Sequence, residues 1–415
     1  GNQNTGTIYT IPVVFHVMHF GGVENISEEQ ILNALAILNR DYRKQNADTA
    51  NVHPDFQGMP SDIEIEFKLA TIAPNGQCFN GITRTFSPMS YQGDDGSAQV
   101  DAIIAGNNVY NGTWAGNKYL NIFVCGEIGG AAGYTYKPST WGATSMKNGI
   151  WILHDYVGAI GTGGVGTSRA LTHEVGHWLN LDHTWGGNNN PGNTTSCSTD
   201  DNVQDTPNCI GVTACLLNSN TCNSDNNYWG FDIRDNVENY MDYSYCSKMY
   251  TEGQRTRMRN ALQVANTGRA NVVSASNLAA VGATGTTYLC KADFSADKVT
   301  ICAGNEVQFS DESFNAVTGW SWQITPTTGW SFATGSSANS ANPLIVFDTP
   351  GMYNVKLTAT DGTNSDVEDK TAYIRVLGTP AVLPYWEGFE GYTSLSNLPN
   401  WEVYNANNNK TNEFN

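Results

Sequence analysis

The sequence contains no run of apolar residues long enough to cross a membrane, and it does not begin with an apolar leader. Positive charge is also scarce, because 21 Lys and Arg residues stand against 39 Asp and Glu residues, giving a net charge of −18. Such a chain is repelled by nucleic acid and by anionic membranes, so we expect neither as a partner. The acidic excess has two compatible interpretations, which are solubility in an extracellular medium and carboxylates that bind calcium.

The nine cysteines are concentrated in one region, since five of them fall between Cys197 and Cys246. This region is rich in Asn, Asp, Ser, Thr and Gly and has few apolar residues that could form a core. Segments of this kind are typically held by disulfides, which form in oxidising compartments. The sequence therefore predicts a secreted protein from which the leader and any pro-segment have been removed.

The hydrophobic pattern divides the 415 residues into parts of different architecture, as expected for a chain too long for one core. Residues 1–275 mix strands with amphipathic helices, one of which is predicted at 168–181. Small and polar residues then indicate a linker at 276–289. Residues 290–377 are predicted to form an all-β sandwich of short strands, and residues 378–415 the start of a further, incomplete β domain.

The stretch "HEVGHWLNLDH" carries the clearest chemistry. His173 and His177 are four residues apart, so on a helix they share one face and can hold one zinc ion. Glu174 is placed to act on a water molecule at that zinc, as in zinc peptidases. The alternative is an accidental match on a surface helix.

His183 favours the zinc site over an accidental match. In a continuous helix, His183 would lie about 9 Å beyond His177 and on another face. It can reach the same metal only if the helix ends and the chain turns back before His183. The turn is predicted near Asn180, because glycine adopts the left-handed conformation most readily and asparagine is next. Three nitrogen ligands leave a fourth zinc position open for water, which is typical of a catalytic site. A non-catalytic adhesion protein with a protease-like scaffold is the alternative, although such a scaffold does not need Glu174.

The pattern H-E-x-x-H-x-x-N-x-x-H resembles the zinc signature of the metzincins, and "NYMDYSYC" resembles their methionine turn, which implies a structural role for Met241. The sequence is more closely similar to the pappalysins, through "KYLNIFVCG", "GIWILHDYVG", "CSTDDNVQDTPN" and "YTEGQRTRM". The resemblance covers roughly residues 8–265. It implies an α+β catalytic domain, with a mixed sheet in an upper lobe and an irregular lower lobe.

The resemblance also implies roles for individual residues. Substrate is expected to lie antiparallel to an edge strand near residues 129–138, and Tyr243 to stabilise the tetrahedral intermediate, although Tyr243 could instead be a packed aromatic residue. A calcium site is implied by the carboxylate of Asp201, the carbonyl of Val203 and Thr206, with Asp205 as a helper. A solvated acidic loop is the alternative.

The order of the cysteines in the family implies the disulfides Cys197–Cys222 and Cys215–Cys246. Cys290 and Cys302 flank the first strands of the sandwich and form a further candidate pair, whereas Cys78, Cys125 and Cys209 remain unassigned. Pappalysins that prefer Arg or Lys at the cleaved bond carry an aspartate after the methionine turn. This chain has no acidic residue between Asp242 and Cys246, so that preference is not predicted.

Residues 290–377 resemble an Ig-like polycystic-kidney-disease (PKD) domain through "ADFSADKVTICAGNEVQFSDES", "GWSWQI" and "PGMYNVKLTATDG". Such domains are usually spacers or bind the surface of a substrate. Together these features predict a secreted, monomeric zinc endopeptidase with bound calcium, acting on proteins or peptides.

Overall fold

The computed structural model describes residues 6–93, 95–106, 113–223, 225–284 and 289–378. Contacts within the chain divide it into two units. The first comprises Gly1–Ala292, Ser313–Thr318 and Thr360–Asp366, and the second comprises Asp293–Glu312, Gly319–Ala359 and Val367–Asn415. Among the described residues, no helix is both long enough and apolar enough to cross a membrane.

The first unit is built on a six-stranded sheet whose order is β2-β1-β4-β6-β5, with β3 also paired to β1. The strands are β1 (Tyr9–His19), β2 (Ile65–Leu69), β3 (Ile82–Phe86), β4 (Leu120–Cys125), β5 (Gly133–Thr135) and β6 (Ile150–Leu153). The strands β2, β3 and β4 run parallel to β1, and β6 runs parallel to β4. Only β5 among these strands is antiparallel to its neighbour, and it forms the edge of the sheet.

Helices cover both faces of this sheet. The helices of the first unit are α1 (Glu28–Tyr42), α2 (Gly96–Gly106), α3 (Ala170–Trp178), α4 (Asn226–Trp229), α5 (Glu252–Ala261), α6 (Arg269–Val272) and α7 (Ala275–Ala280), and all but α4 contribute residues to the cores on the sheet. Alternate residues of β1 enter two separate cores, as the two-residue repeat of a strand requires. The core on one face contains α1 and α3, so the helix with the histidine motif is packed directly against the sheet.

The region after the histidine motif has little regular structure apart from a 3-10 helix at Thr194–Ser198 and the short helix α4. Two disulfides cross-link it, Cys197–Cys222 and Cys215–Cys246, which are the pairs that the resemblance implies. The second of these joins the region to the segment that follows Met241. Covalent links therefore take the place of an extensive apolar core in this lower lobe.

The predicted pairing of Cys290 with Cys302 is wrong. Cys290 is bonded to Cys78, and both residues belong to the first unit. Cys302 is a free, exposed cysteine at the end of a strand in the second unit. Cys302 is only 12 residues from Cys290 along the chain, whereas the actual partner of Cys290 lies 212 residues away.

The first unit also extends beyond the boundary predicted at residue 275. Helix α7 occupies much of the predicted linker, and Val281 and Ala283 are buried in the core on the α2 face of the sheet. Apart from Gly378, the predicted further β domain at 378–415 lies outside the described residues.

The second unit is the predicted all-β sandwich. Its strands are β7 (Phe294–Ala296), β8 (Thr300–Cys302), β9 (Asn305–Asp311), β10 (Gly319–Thr325), β11 (Trp330–Phe332), β12 (Leu344–Phe347), β13 (Gly351–Thr360) and β14 (Ser365–Leu377). They form two four-stranded sheets, ordered β10-β13-β14-β8 and β11-β12-β9-β7. Phe309, Trp322, Tyr353 and Val355 are buried in one core, consistent with alternating inward-facing residues on both sheets.

Candidate active site

Helix α3 ends two residues before Asn180, and the chain turns back there. Asn180 has a φ of 75°, which is the left-handed conformation that the spacing of the histidines predicts. The Leu181 N–H donates to the Gly176 carbonyl at 2.9 Å, and the Asn180 N–H donates to the His177 carbonyl at 2.9 Å. These are the two hydrogen bonds of a Schellman motif, which ends a helix through one left-handed residue.

This turn brings three histidine rings together. The Nε2 atom of His177 lies 3.0 Å from Nε2 of His173 and 3.1 Å from Nε2 of His183. Each Nδ1 atom is instead paired with a backbone carbonyl. His173 donates to the Tyr240 carbonyl at 2.7 Å, His177 donates to the Leu181 carbonyl at 2.9 Å, and His183 donates to the Asn188 carbonyl at 2.9 Å. Because a carbonyl oxygen only accepts, each Nδ1 carries the proton and each Nε2 has a free lone pair.

The three lone pairs therefore point toward a common position and repel one another unless a cation lies between them. Zinc bound tetrahedrally at about 2.0–2.1 Å from each nitrogen places its ligands roughly 3.3–3.4 Å apart, close to the spacing observed. Among the described residues, these three histidines form the only group of three or more His, Cys, Asp or Glu side chains close enough together to hold one metal ion. The donor set fits zinc with one position left open.

Burial keeps the three rings neutral. It lowers the pKa of His173 to about 3, with a further contribution from the neighbouring His177. Burial likewise lowers the pKa of His177 to about 4 and that of His183 well below its ordinary value. Neutral imidazoles are the forms that bind a metal, so the site requires no deprotonation at neutral pH.

Glu174 is buried beside these histidines, and burial raises the pKa of its carboxyl to about 8. The edge strand β5 passes next to it. A Cβ atom added at Gly133 would lie 3.1 Å from Cγ of Glu174, so a side chain at this position would crowd the carboxyl group. Both residues line a cleft of about 1140 Å³ that also contains His173 and Tyr243.

Met241 lies beneath the motif and is fully buried. A Cβ atom at Gly176 would lie 2.5 Å from the Met241 sulfur, so the turn carrying the methionine can approach α3 only where the helix has a glycine. This need for glycine between the two histidines of the helix was not predicted from the sequence.

Tyr243 is 40% exposed and lies beside the histidine side chains. Its ring centroid is 5.4 Å from that of His173 and 4.8 Å from that of His183. Burial, with a smaller contribution from the charge of Glu174, raises the pKa of its hydroxyl to about 12, so the phenol stays protonated and able to donate.

A tryptophan that was not predicted from the sequence holds the third histidine. Trp185 stacks on His183 with ring centroids 4.3 Å apart and an interplanar angle of 1°. The Trp185 Nε1–H donates to the Asn188 carbonyl at 2.9 Å, which also accepts from His183. The sequence does carry a signal for this contact, because Trp185 is a large aromatic residue two positions after the third histidine.

Comparisons with known proteins agree with this geometry. The family described as pregnancy-associated plasma protein-A matches residues 104–263, and the PKD domain family matches residues 291–376. An extracellular metalloprotease of Colletotrichum graminicola is 30% identical over 260 residues, which are 60% of this chain and 74% of that protein. The chain belongs to the pappalysin family of metalloproteases.

Other pappalysin relatives support the same assignment. An extracellular metalloprotease of Neurospora crassa is 35% identical over 150 residues, covering 34% of this chain and 47% of that protein, so the match spans about half of its length. Mature mirolysin of Tannerella forsythia, solved in complex with a cleaved peptide, is 33% identical with a TM-score of 0.55. That alignment covers 67% of this chain and 99% of the mirolysin chain.

Several predictions are thereby confirmed. The pappalysin fold, the PKD domain, the metalloendopeptidase class and the secreted location all agree with these relatives. A peptide substrate and a metal follow from the class.

The residues predicted to bind calcium lie close together in the pappalysin lower lobe. The Thr206 hydroxyl donates to the Asp201 carboxylate at 2.8 Å and lies 2.7 Å from the Val203 carbonyl oxygen. Asp205 does not join them, because its carboxylate accepts from the Thr251 hydroxyl at 2.6 Å and from the Gly253 N–H at 2.8 Å at the start of α5.

Proposed function

We propose that the protein is a zinc-dependent endopeptidase in which Glu174 is the general base. The observation that carries this proposal is the convergence of three Nε2 lone pairs, each fixed by a hydrogen bond at Nδ1, next to a buried carboxyl group. Zinc held there would acidify a water molecule and polarise the carbonyl of the peptide bond.

The chain's own residues would perform the proton transfers. A cation bound at the histidines would offset the burial that raises the pKa of Glu174, and the ionised carboxylate would accept the proton of the attacking water and deliver it to the departing amine. The Tyr243 hydroxyl donates a hydrogen bond to the oxyanion that develops on the substrate carbonyl. The Tyr243 ring is half-exposed at the cleft, so it can contact substrate and also pack against His183. Stabilisation of the tetrahedral intermediate is therefore compatible with a role as a packed aromatic residue.

Substrate would bind in extended form along β5, because this strand is the edge of the sheet and pairs with β6 on one side. Addition of a peptide strand to a sheet edge gives affinity through backbone hydrogen bonds. Gly133 in this strand brings the bound backbone close to Glu174, where the bond is cleaved.

Calcium would bind at the carboxylate of Asp201, the carbonyl of Val203 and the hydroxyl of Thr206. Asp201 is 2% exposed, and the described residues supply no cationic side chain in ion-pair contact with its carboxylate. A buried carboxylate without a counter-ion is costly, and oxygen ligands suit a hard cation.

The test replaces Glu174 in the full chain. Glu174→Ala should retain one zinc per chain by elemental analysis and keep its thermal unfolding temperature, while casein hydrolysis falls about 10²- to 10⁴-fold because the general base is lost. Glu29→Ala, which removes an exposed glutamate on α1, serves as the matched control and should keep full activity. A parent protein without bound metal, or an active Glu174→Ala variant, contradicts the proposal.

A further inference from the structure

Asp182 lies between the helix-ending turn and the third histidine, and its carboxylate is held by two cations. The side chain is 7% exposed. One oxygen contacts the Lys137 ammonium, and the other lies 2.8 Å from Nη2 of Arg257. Charge-assisted hydrogen bonds of this kind are stronger and shorter than those between neutral groups.

The two cations come from different parts of the first unit. Lys137 follows β5 by two residues and so belongs to the segment at the edge of the sheet. Arg257 lies in α5, and its second terminal nitrogen donates to the carbonyl of Asp201. The Asp182 carboxylate thus contacts the edge segment through Lys137 and α5 through Arg257. Arg257 in turn connects it to the loop that contains Asp201.

The backbone around Asp182 serves two of the metal-binding histidines. The residue before it, Leu181, accepts the Nδ1–H of His177 through its carbonyl at 2.9 Å, and the residue after it is His183 itself. No helix or strand includes residues 179–193, so regular secondary structure does not fix this segment. Its position depends on the Asn180 turn, on side-chain contacts and on a few backbone hydrogen bonds, such as the one from the Gly192 N–H to the Ile210 carbonyl at 2.7 Å.

We infer that Asp182 is a positioning residue for His183, and that Lys137 couples this position to the substrate-binding edge of the sheet. Each carboxylate oxygen is held by one ion pair, and the restraint reaches His183 through one peptide bond. The inference rests on the proposed function, because the property that it affects is the geometry of the metal bound by the three histidines.

An ion pair with no role at the metal site would also stabilise the fold. The chain contains such an ion pair, which serves as a control for Asp182. Glu64 is 9% exposed and binds Arg255 and Arg259, which lie on the same helix α5 as Arg257. It contacts neither the histidines nor the segment at 179–193. Glu64→Gln therefore removes a comparable pair of contacts without touching the metal site.

The experiment compares Asp182→Asn with Glu64→Gln in the full-length protein. Each variant is measured for thermal unfolding, for the rate of zinc transfer to a coloured chelator, and for the visible spectrum after replacement of zinc by cobalt(II). Both should unfold at lower temperatures. Only Asp182→Asn should release zinc faster, by about 10-fold, the lower end of what loss of an outer-shell contact causes, and only its cobalt spectrum should shift.

Variants of Lys137 provide a second test, which does not depend on whether Asp182→Asn folds. Lys137→Met should raise KM for a peptide substrate several-fold with little change in kcat, because the edge segment is loosened while Arg257 still holds Asp182. Lys137→Arg should restore the parent KM, because it returns the positive charge.

The outcomes separate this inference from the proposed function. Failure of the parent protein to bind zinc or cobalt overturns both. Normal metal binding in the parent, with equal zinc release from Asp182→Asn and Glu64→Gln, overturns the inference alone. An unchanged KM in Lys137→Met overturns the coupling to the edge strand.

Discussion

Trp185 and His183 lie with their rings parallel, and one carbonyl, that of Asn188, accepts a hydrogen bond from each of them. The orientation of the His183 ring is therefore fixed by the tryptophan ring on one face and by the hydrogen bond at Nδ1. Of the three histidines, this is the one carried by irregular backbone.

Replacement of Trp185 should weaken metal binding. Trp185→Leu removes both the stacked ring and a donor to the Asn188 carbonyl, and we expect zinc affinity to fall about 10- to 100-fold, as for other outer-shell contacts. Trp185→Phe keeps a stacking face and should lose less. Competition with a chelator measures both affinities, and equal losses in the two variants would show that stacking is unimportant.

The left-handed turn at Asn180 predicts opposite effects of two substitutions. Asn180→Gly should preserve activity, because glycine adopts a φ of 75° without a Cβ penalty. Asn180→Val should cost about 1–3 kcal/mol of strain, and zinc affinity and proteolysis should fall together as His183 is displaced. Thermal unfolding and zinc titration check the prediction, which is wrong if the valine variant matches the parent.

The Asp201 site predicts a dependence of stability on both calcium and pH. Burial raises the pKa of Asp201 well above its ordinary value when calcium is absent, so the folded state binds its proton more tightly than the unfolded state does. The contribution of Asp201 to the stability of the calcium-free protein should therefore decline as pH rises from the unfolded pKa through the folded one.

Calcium should reverse this dependence, because it binds the ionised carboxylate. The increase in unfolding temperature caused by millimolar calcium should be largest at high pH, and it should disappear in Asp201→Asn. Thermal scans of zinc-loaded protein across pH, with and without calcium, provide the measurement. An equal effect of calcium on the parent and on Asp201→Asn would show that the ion binds elsewhere.

Basic residues should not be favoured at the cleaved bond. Of the described residues that line the cleft, the acidic ones are Glu174, Asp48 and Asp242. Arg169 binds both oxygens of Asp48 at 2.7 and 3.0 Å, and Asp242 is 4% exposed and accepts from the Ser244 N–H. Mass spectrometry of the sites cleaved in a peptide library should show no enrichment of Arg or Lys, and clear enrichment would contradict this reading.

The features predicted correctly from residue spacing alone are those that depend on neighbours along the chain, whereas the disulfides Cys197–Cys222 and Cys215–Cys246 were implied by the family resemblance. The H-E-x-x-H spacing and the turn at Asn180 follow from helix geometry over a few residues, and the alternating pattern of the sandwich follows from strand geometry. The overlooked features join distant positions. Asp182 and Lys137 are 45 residues apart, Asp182 and Arg257 are 75 apart, and Cys78 and Cys290 are 212 apart. No local rule of helix or strand formation specifies such pairs.

The contact between Gly176 and Met241 has a consequence for how this site can change over evolutionary time. The methionine sulfur occupies the space that any side chain at position 176 would need. The Tyr250 hydroxyl is a second obstacle, because it would lie 2.9 Å from a Cβ at this position. A larger residue at 176 is therefore tolerated only if the methionine is replaced by something smaller and the Tyr250 hydroxyl is also displaced. Positions 176 and 241, 65 apart in sequence, are thus epistatic, and a mutational scan that varies one residue at a time would reject larger residues at 176 that a combined change at 241 and 250 could accept.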